Sequence, residues 1–342
     1  MLQKAKSVKK GTAKKAAVKK APSRKAVVKK SAVKKAATVK KTAQGVKQKG
    51  FSVSGVRFLS GGLNCEGRLY LPKGIKKPPV IIMAHGFGAE MDFGIPAYAE
   101  EFAKNGYAAF IFNYRYYGGS EGEPKHFISQ KKQLEDWNSA IEFVRSLDQV
   151  DAERICIWGC SFSGGHILAE AANNVNVKGF IAHVPFMDSM HMVKISGFTK
   201  VLKINAAEYR DLFYMLTGKA RHNIPVVGRP DEFSIMSTPE TYEDYMSLIP
   251  EGSGWRNEFP AISMMAITFY RPVKYISGIK CRGMVLLGED DSLLDNRLVR
   301  KKFSGMPNVE LSEYKCRHFG FFKEEFYKKA VSAELKFLEG LF

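Results

Sequence analysis

The chain has 342 residues and a formal net charge of +19, from 53 Lys and Arg against 34 Asp and Glu. Residues 1–50 hold 17 of the Lys, one Arg and no acid, which leaves 35 basic and 34 acidic groups for the remaining 292 residues. With no run of 18 apolar residues and no apolar segment behind the first charges, the composition excludes a transmembrane helix and a Sec signal; it predicts a polycationic tail joined to a near-neutral chain long enough for a large core.

In the tail, basic doublets start at Lys9, Lys14, Lys19, Arg24, Lys29, Lys34 and Lys40, a low-complexity repeat with a step of five and one of six at the end. Five residues turn about 140° around an α-helix, so the doublets circle the axis with no acid to offset Lys–Lys repulsion. Residues 1–50 are therefore expected to be disordered. Their Lys/Ala/Val content resembles the Lys-rich tails of linker histones. That resemblance implies salt-sensitive, sequence-blind contact with nucleic acid, or with another polyanion such as acidic lipid.

From Phe51 to Phe342 the pattern changes to strands and helices in turn. Alternating runs at 53–59 and 65–71 flank Gly61 and Gly62 and predict an antiparallel hairpin. Continuous apolar runs at 80–84, 107–112, 154–158, 179–184, 283–287 and 309–314 predict buried parallel strands. Between them lie helical patterns, the clearest with Leu134, Trp137, Ile141, Val144 and Leu147 on one face. This alternation predicts an α/β fold with a mostly parallel, doubly wound sheet. Residues 186–276 interrupt it with 8 of the 13 Met and 13 aromatic residues, and are expected to form a mostly helical lid with an adaptable apolar surface. The five cysteines (Cys65, Cys156, Cys160, Cys281, Cys316) form no Cys-x-x-Cys pair, which predicts reduced thiols, no zinc site and a cytoplasmic location, drawn toward nucleoid or nucleus by the tail.

The run Trp158-Gly159-Cys160-Ser161-Phe162-Ser163-Gly164-Gly165 is a strand end, a tight turn of small residues and a helix expected over 167–172, the context of a nucleophile elbow. Such a turn needs small residues two before and two after the nucleophile, and Gly159 and Ser163 meet that need for Ser161. A second register would make Ser163 the nucleophile, starting two residues past the strand end.

Taken with Ala84-His85-Gly86-Phe87-Gly88, the stretch from Asn113 to Pro124, Gly288-Glu289-Asp290-Asp291 and Arg317-His318-Phe319, this elbow makes residues 51–342 resemble an α/β-hydrolase. The combination is most similar to dienelactone-hydrolase and X-Pro-dipeptidyl-peptidase-like enzymes, including a fungal branch of polyketide transferases or hydrolases. Asn113 stands where many relatives carry Asp, and Ser163 replaces a Gly. The fold orders its triad nucleophile, acid, histidine. Of the histidines after Ser161, only His318 lies near the C-terminus beyond the last strand. The acid falls at the strand end ending in Asp290 and Asp291, of which Asp291 matches the family position. Backbone N–H groups of Phe87 and Phe162 are the implied oxyanion hole. His85 is expected to brace its loop, and Asp188 with His191 to serve structure rather than a metal.

The function this implies is a serine hydrolase cleaving an ester, thioester or amide with an apolar acyl group, needing neither cofactor nor metal. Two alternatives remain from the sequence: an acyltransferase using the same residues, and a non-catalytic polyanion-binding protein.

Overall fold

In β1 (Phe51–Ser60) and β2 (Leu63–Pro72) the two strands pair antiparallel along their full length, and Gly61 and Gly62 close the hairpin, both at positive φ as a tight two-residue turn requires. The computed structural model describes residues 50–342. The basic tail and the polyanion contact expected of it lie outside the described residues, Gly50 apart.

β3 (Val80–Ala84) is buried at every position, and α1 (Ile95–Lys104) follows it, turning Tyr98 and Phe102 inward. β4 (Ala108–Phe112) is likewise buried throughout, and the amphipathic α2 (Gln130–Arg145) buries Trp137, Ile141 and Val144 as its spacing predicts. β5 (Ile155–Cys160) then leads without a loop into α3 (Ser161–Asn173), followed by β6 (Val177–His183). α3 starts six residues earlier than its apolar periodicity suggests. Its first turn, rich in Ser and Gly, has poor helix propensity, and packing of those small residues against neighbouring backbone holds it helical.

The chain leaves the sheet after β6 and returns at β9. In between, α4 (Ser189–Leu216) is broken at Gly197 (φ 73°, ψ 156°), a conformation that only glycine adopts readily. β7 (Asn223–Ile224), α5 (Thr241–Met246), β8 (Phe259–Pro260) and α6 (Ser263–Ile267) are short, with β7 and β8 paired antiparallel. Helix in this insertion is thus chiefly α4. Asp211 holds the rest to it, accepting two bonds from Arg221 at 2.7 Å and the backbone N–H of His222 and Ile262. β9 (Arg282–Gly288), α7 (Asn296–Phe303), β10 (Val309–Tyr314) and α8 (Glu324–Leu341) complete the chain.

The sheet has eight strands in the order β1-β2-β4-β3-β5-β6-β9-β10, antiparallel at the β1 and β2 edge and parallel from β4 onward. α2 and α3 belong to the core on one face, and α1 and α8 to the core on the other. This is the doubly wound architecture the alternation predicts. All five cysteines are free thiols, and among the described residues no helix is long and apolar enough to cross a membrane.

Candidate active site

Three strand ends converge at the carboxyl edge of the sheet. At the end of β5, a Cβ on Gly159 would sit 2.7 Å from the Ser163 carbonyl oxygen, so the turn admits only glycine there. Ser161 has φ 53°, a left-handed conformation that costs an L-residue roughly 1–2 kcal/mol. That strain is what bends the chain from strand directly into helix.

Asp291 follows β9 and His318 follows β10. His318 Nε2 lies 3.0 Å from Ser161 Oγ, and its Nδ1 lies 2.7 Å from Asp291 Oδ2. Because a carboxylate only accepts, Nδ1 carries the proton toward Asp291, and Nε2 is left to accept from the serine hydroxyl. The second oxygen of Asp291 accepts the backbone N–H groups of Leu293 (2.8 Å) and Leu294 (3.1 Å), which fixes the carboxylate's orientation. Both the imidazole and the carboxylate are buried, whereas Asp290 faces solvent. The structure therefore brings Ser161, His318 and Asp291 together and leaves out both competitors. Ser163 Oγ is buried and accepts instead from the Tyr114 hydroxyl.

The Phe87 loop presses on the elbow: a Cβ on Gly86 would lie 3.3 Å from both the Cys160 carbonyl and Ser161 Cβ. The rings of Phe87 and Phe162 meet edge to face at 5.6 Å. Phe162 N–H opens α3, where the first turn has no intrahelical acceptors. Tyr245 donates its hydroxyl to the Phe87 carbonyl at 3.1 Å, steadying that peptide from within the insertion. No local signal in the sequence points to Tyr245, since it lies far along the chain from Phe87.

Other candidates have partners of their own. His85 packs against Tyr114 and Tyr117, and burial pushes its imidazole down to about 4. His166 sits between the Tyr270 hydroxyl and Gln133 Oε1, and burial pushes it down to about 3. Both are neutral near pH 7. Burial also pushes the Cys160 thiol up to about 12, so the residue beside the elbow is no thiolate. Asp188 caps α4 and pairs with Arg271, and His191 stands 3.7 Å from Asp295. Among the described residues, no three His, Cys, Asp or Glu side chains converge as metal ligands.

Two cavities meet at Ser161 and His318. The larger, about 110 Å³, runs beneath the insertion and is walled by apolar side chains including Phe186, Val201, Ile204, Met264 and Leu293. Only Met236 and Met264 of the insertion's methionines reach it, so its character is aliphatic more than thioether; the side chain of Met192 lies outside the described residues. The smaller cavity, about 30 Å³, lies on the other side, between Phe93, Tyr245, Phe319 and Phe322.

Residues 62–218 match the family model described as X-Pro dipeptidyl-peptidase (S15 family). The chain is similar to the quorum-quenching protein AidA of Acinetobacter baumannii, at 33% identity over 284 residues, covering 83% of this chain and 93% of that protein. It is similar also to the thiohydrolase aneE of Aspergillus aculeatus, at 26% identity over 84% of this chain and 92% of the relative. Among solved structures, the α/β hydrolase GrgF from Penicillium sp. sh18 superposes with a TM-score of 0.74 at 22% identity, covering 84% of this chain and 98% of that one, a likeness of fold. With similarity over most of both chains, the chain belongs to the α/β-hydrolase family and is a hydrolase-type enzyme of that fold.

Proposed function

We propose that this enzyme is a serine hydrolase that forms an acyl-enzyme on Ser161 and cleaves an ester or thioester with an apolar acyl group. His318 takes the Ser161 proton as the hydroxyl attacks the carbonyl carbon, while Asp291 holds the imidazole in its tautomer and stabilises the imidazolium. The backbone N–H groups of Phe87 and Phe162 receive the negative charge that develops on the carbonyl oxygen. His318 then returns the proton to the leaving group, and a water activated by the same imidazole releases the acid.

The observation that carries this reading is the hydrogen-bonded chain Ser161–His318–Asp291 opening on an apolar cavity. Water is favoured as the second nucleophile because the smaller cavity, about 30 Å³, has room for water beside His318. The apolar acyl portion would then occupy the larger chamber. Thioesters belong in the proposal because a similar protein carries the name thiohydrolase.

The test is hydrolysis of p-nitrophenyl esters from acetate to decanoate, and of matching thioesters, by wild type and Ser161→Ala. Turnover by wild type alone supports the reading, and the chain length preferred sizes the chamber. Adding a nucleophilic alcohol separates the two fates of the acyl-enzyme: a transferase diverts its product to the new ester, whereas a hydrolase does not. Activity surviving in Ser161→Ala would overturn the proposal.

A further inference from the structure

Beyond Gly197, the second segment of α4 carries Phe198, Leu202, Ala206, Tyr209, Phe213 and Leu216, spaced 4, 4, 3, 4 and 3 residues apart. That spacing places them on one helical face, about 28 Å long. The face is solvent-exposed: Phe198 is 78% accessible and Leu216 75%. The opposite face is the one that packs, with Val201 and Ile204 on the larger cavity and Ala207, Glu208 and Asp211 buried. A stripe of this length and size, rich in aromatic and Leu side chains, exceeds the scattered apolar residues of an ordinary surface.

The charges that the helix itself exposes beside the stripe are all of one sign; the exposed acids Asp231 and Glu232, from elsewhere in the insertion, line a pocket with Phe198 and Lys203 at its start. Lys194, Lys203, Arg210 and Lys219 are exposed along and just past the helix, whereas its two acids, Glu208 and Asp211, are buried on the packed face, the latter paired with Arg221. A second copy of the chain would bring this face against itself in a two-fold interface, setting cations against cations. A negatively charged apolar boundary has no such conflict. We propose that the exposed face of residues 198–216 docks on an anionic lipid surface, its aromatic and Leu side chains entering the acyl boundary and Lys203, Arg210 and Lys219 meeting the head groups. Docking depends only on this face and stands apart from the chemistry at Ser161.

The experiment uses the full chain and vesicles of phosphatidylcholine, with and without phosphatidylglycerol. Bound protein is pelleted and washed at about 1 M salt, where the screening length falls to about 3 Å and attachment by charge alone, the tail's included, is released. Wild type should stay on the vesicles that contain phosphatidylglycerol. The triple variant Leu202→Ser, Phe213→Ser, Leu216→Ser should be retained at least about a hundredfold less, from the apolar area removed. Near-ultraviolet circular dichroism checks that the variant is folded. Retention equal to wild type, or complete release of wild type by the wash, overturns the proposal. So does a wild-type dimer in sedimentation that the triple variant dissolves without any difference on vesicles, which would assign the face to a second copy.

Discussion

Ser163 Oγ accepts a hydrogen bond from the Tyr114 hydroxyl at 3.0 Å, and Tyr114 in turn accepts from Trp137 Nε1 at 2.9 Å. The second serine of the elbow is thereby tied into the core through α2 and has no contact with His318. Ser163→Ala should accordingly keep covalent labelling by a fluorophosphonate, while Ser161→Ala loses it. The cost in Ser163→Ala is stability, about 1–3 kcal/mol for a buried hydroxyl left without its acceptor, read as a melting point lower by several degrees. Labelling lost in Ser163→Ala with the fold intact would reverse the assignment.

The adjacent acids divide just as sharply. Asp291→Asn would present its side chain to His318 with the wrong hydrogen-bonding sense, and kcat is expected to drop by about 10⁴. Asp290→Asn, changing an exposed side chain, should stay within about twofold of wild type. Comparable losses in the two variants would contradict the geometry.

Asn113 donates Nδ2 to Glu66 Oε2 at 2.9 Å and accepts the backbone N–H of Met91 at 2.8 Å. Asn113→Asp would set two carboxylates face to face. Such a pair has a raised pKa in the folded state, so its penalty is greatest above the usual carboxylate range and fades as pH falls below it. We expect a loss of about 1–3 kcal/mol at neutral pH, restored when Glu66→Gln is added to supply the missing donor. Denaturant midpoints of the single and double variants decide it; a double variant no better than the single one would count against the pairing.

Glu170 is buried on α3 and accepts from Asn138 at 3.0 Å, and burial pushes its carboxyl up from 4.5 to about 7. Between those values the folded chain holds a proton that the unfolded chain releases, so stability falls as pH rises through the window and then levels off. Glu170→Gln keeps the acceptor for Asn138 and abolishes the titration. The variant should lack that slope and exceed wild type by something on the order of 1–3 kcal/mol at about pH 8. Urea midpoints that differ equally at about pH 5 and about pH 8 would rule Glu170 out as the source.

Much of this architecture is legible in the sequence because its signals are local. Strands buried on both faces must be continuous apolar runs, and five of the six runs are such strands within about two residues; the sixth, 309–314, is the strand β10, but it lies at the sheet edge with no residue fully buried, as its alternating Glu and Ser allow. The elbow is legible because sterics force small residues around Ser161, and His318 because of its place after the last strand. The contacts that choose between rivals are not local. Tyr114 to Ser163, His318 to Asp291, and Tyr245 to Phe87 join side chains and backbone from separate elements, and no periodicity encodes them. The start of α3 escaped the helical pattern for a related reason. Gly164 and Gly165 lie where a Cβ would strike Pro185 and the Phe186 carbonyl, so tertiary packing rather than propensity sets that turn.

Ser161, Asp291 and His318 all sit at ends of β5, β9 and β10, while the apolar chamber they open on takes much of its wall from the single excursion between β6 and β9. On the proposed function, reactivity and selectivity reside in largely separable stretches of the gene. Mutation, insertion or exchange within 186–276 can reshape what is accepted, because the strands that hold the reacting atoms are built elsewhere. A lineage with this plan can radiate into new substrates at little risk to its chemistry so long as Tyr245 keeps its bond to the Phe87 carbonyl.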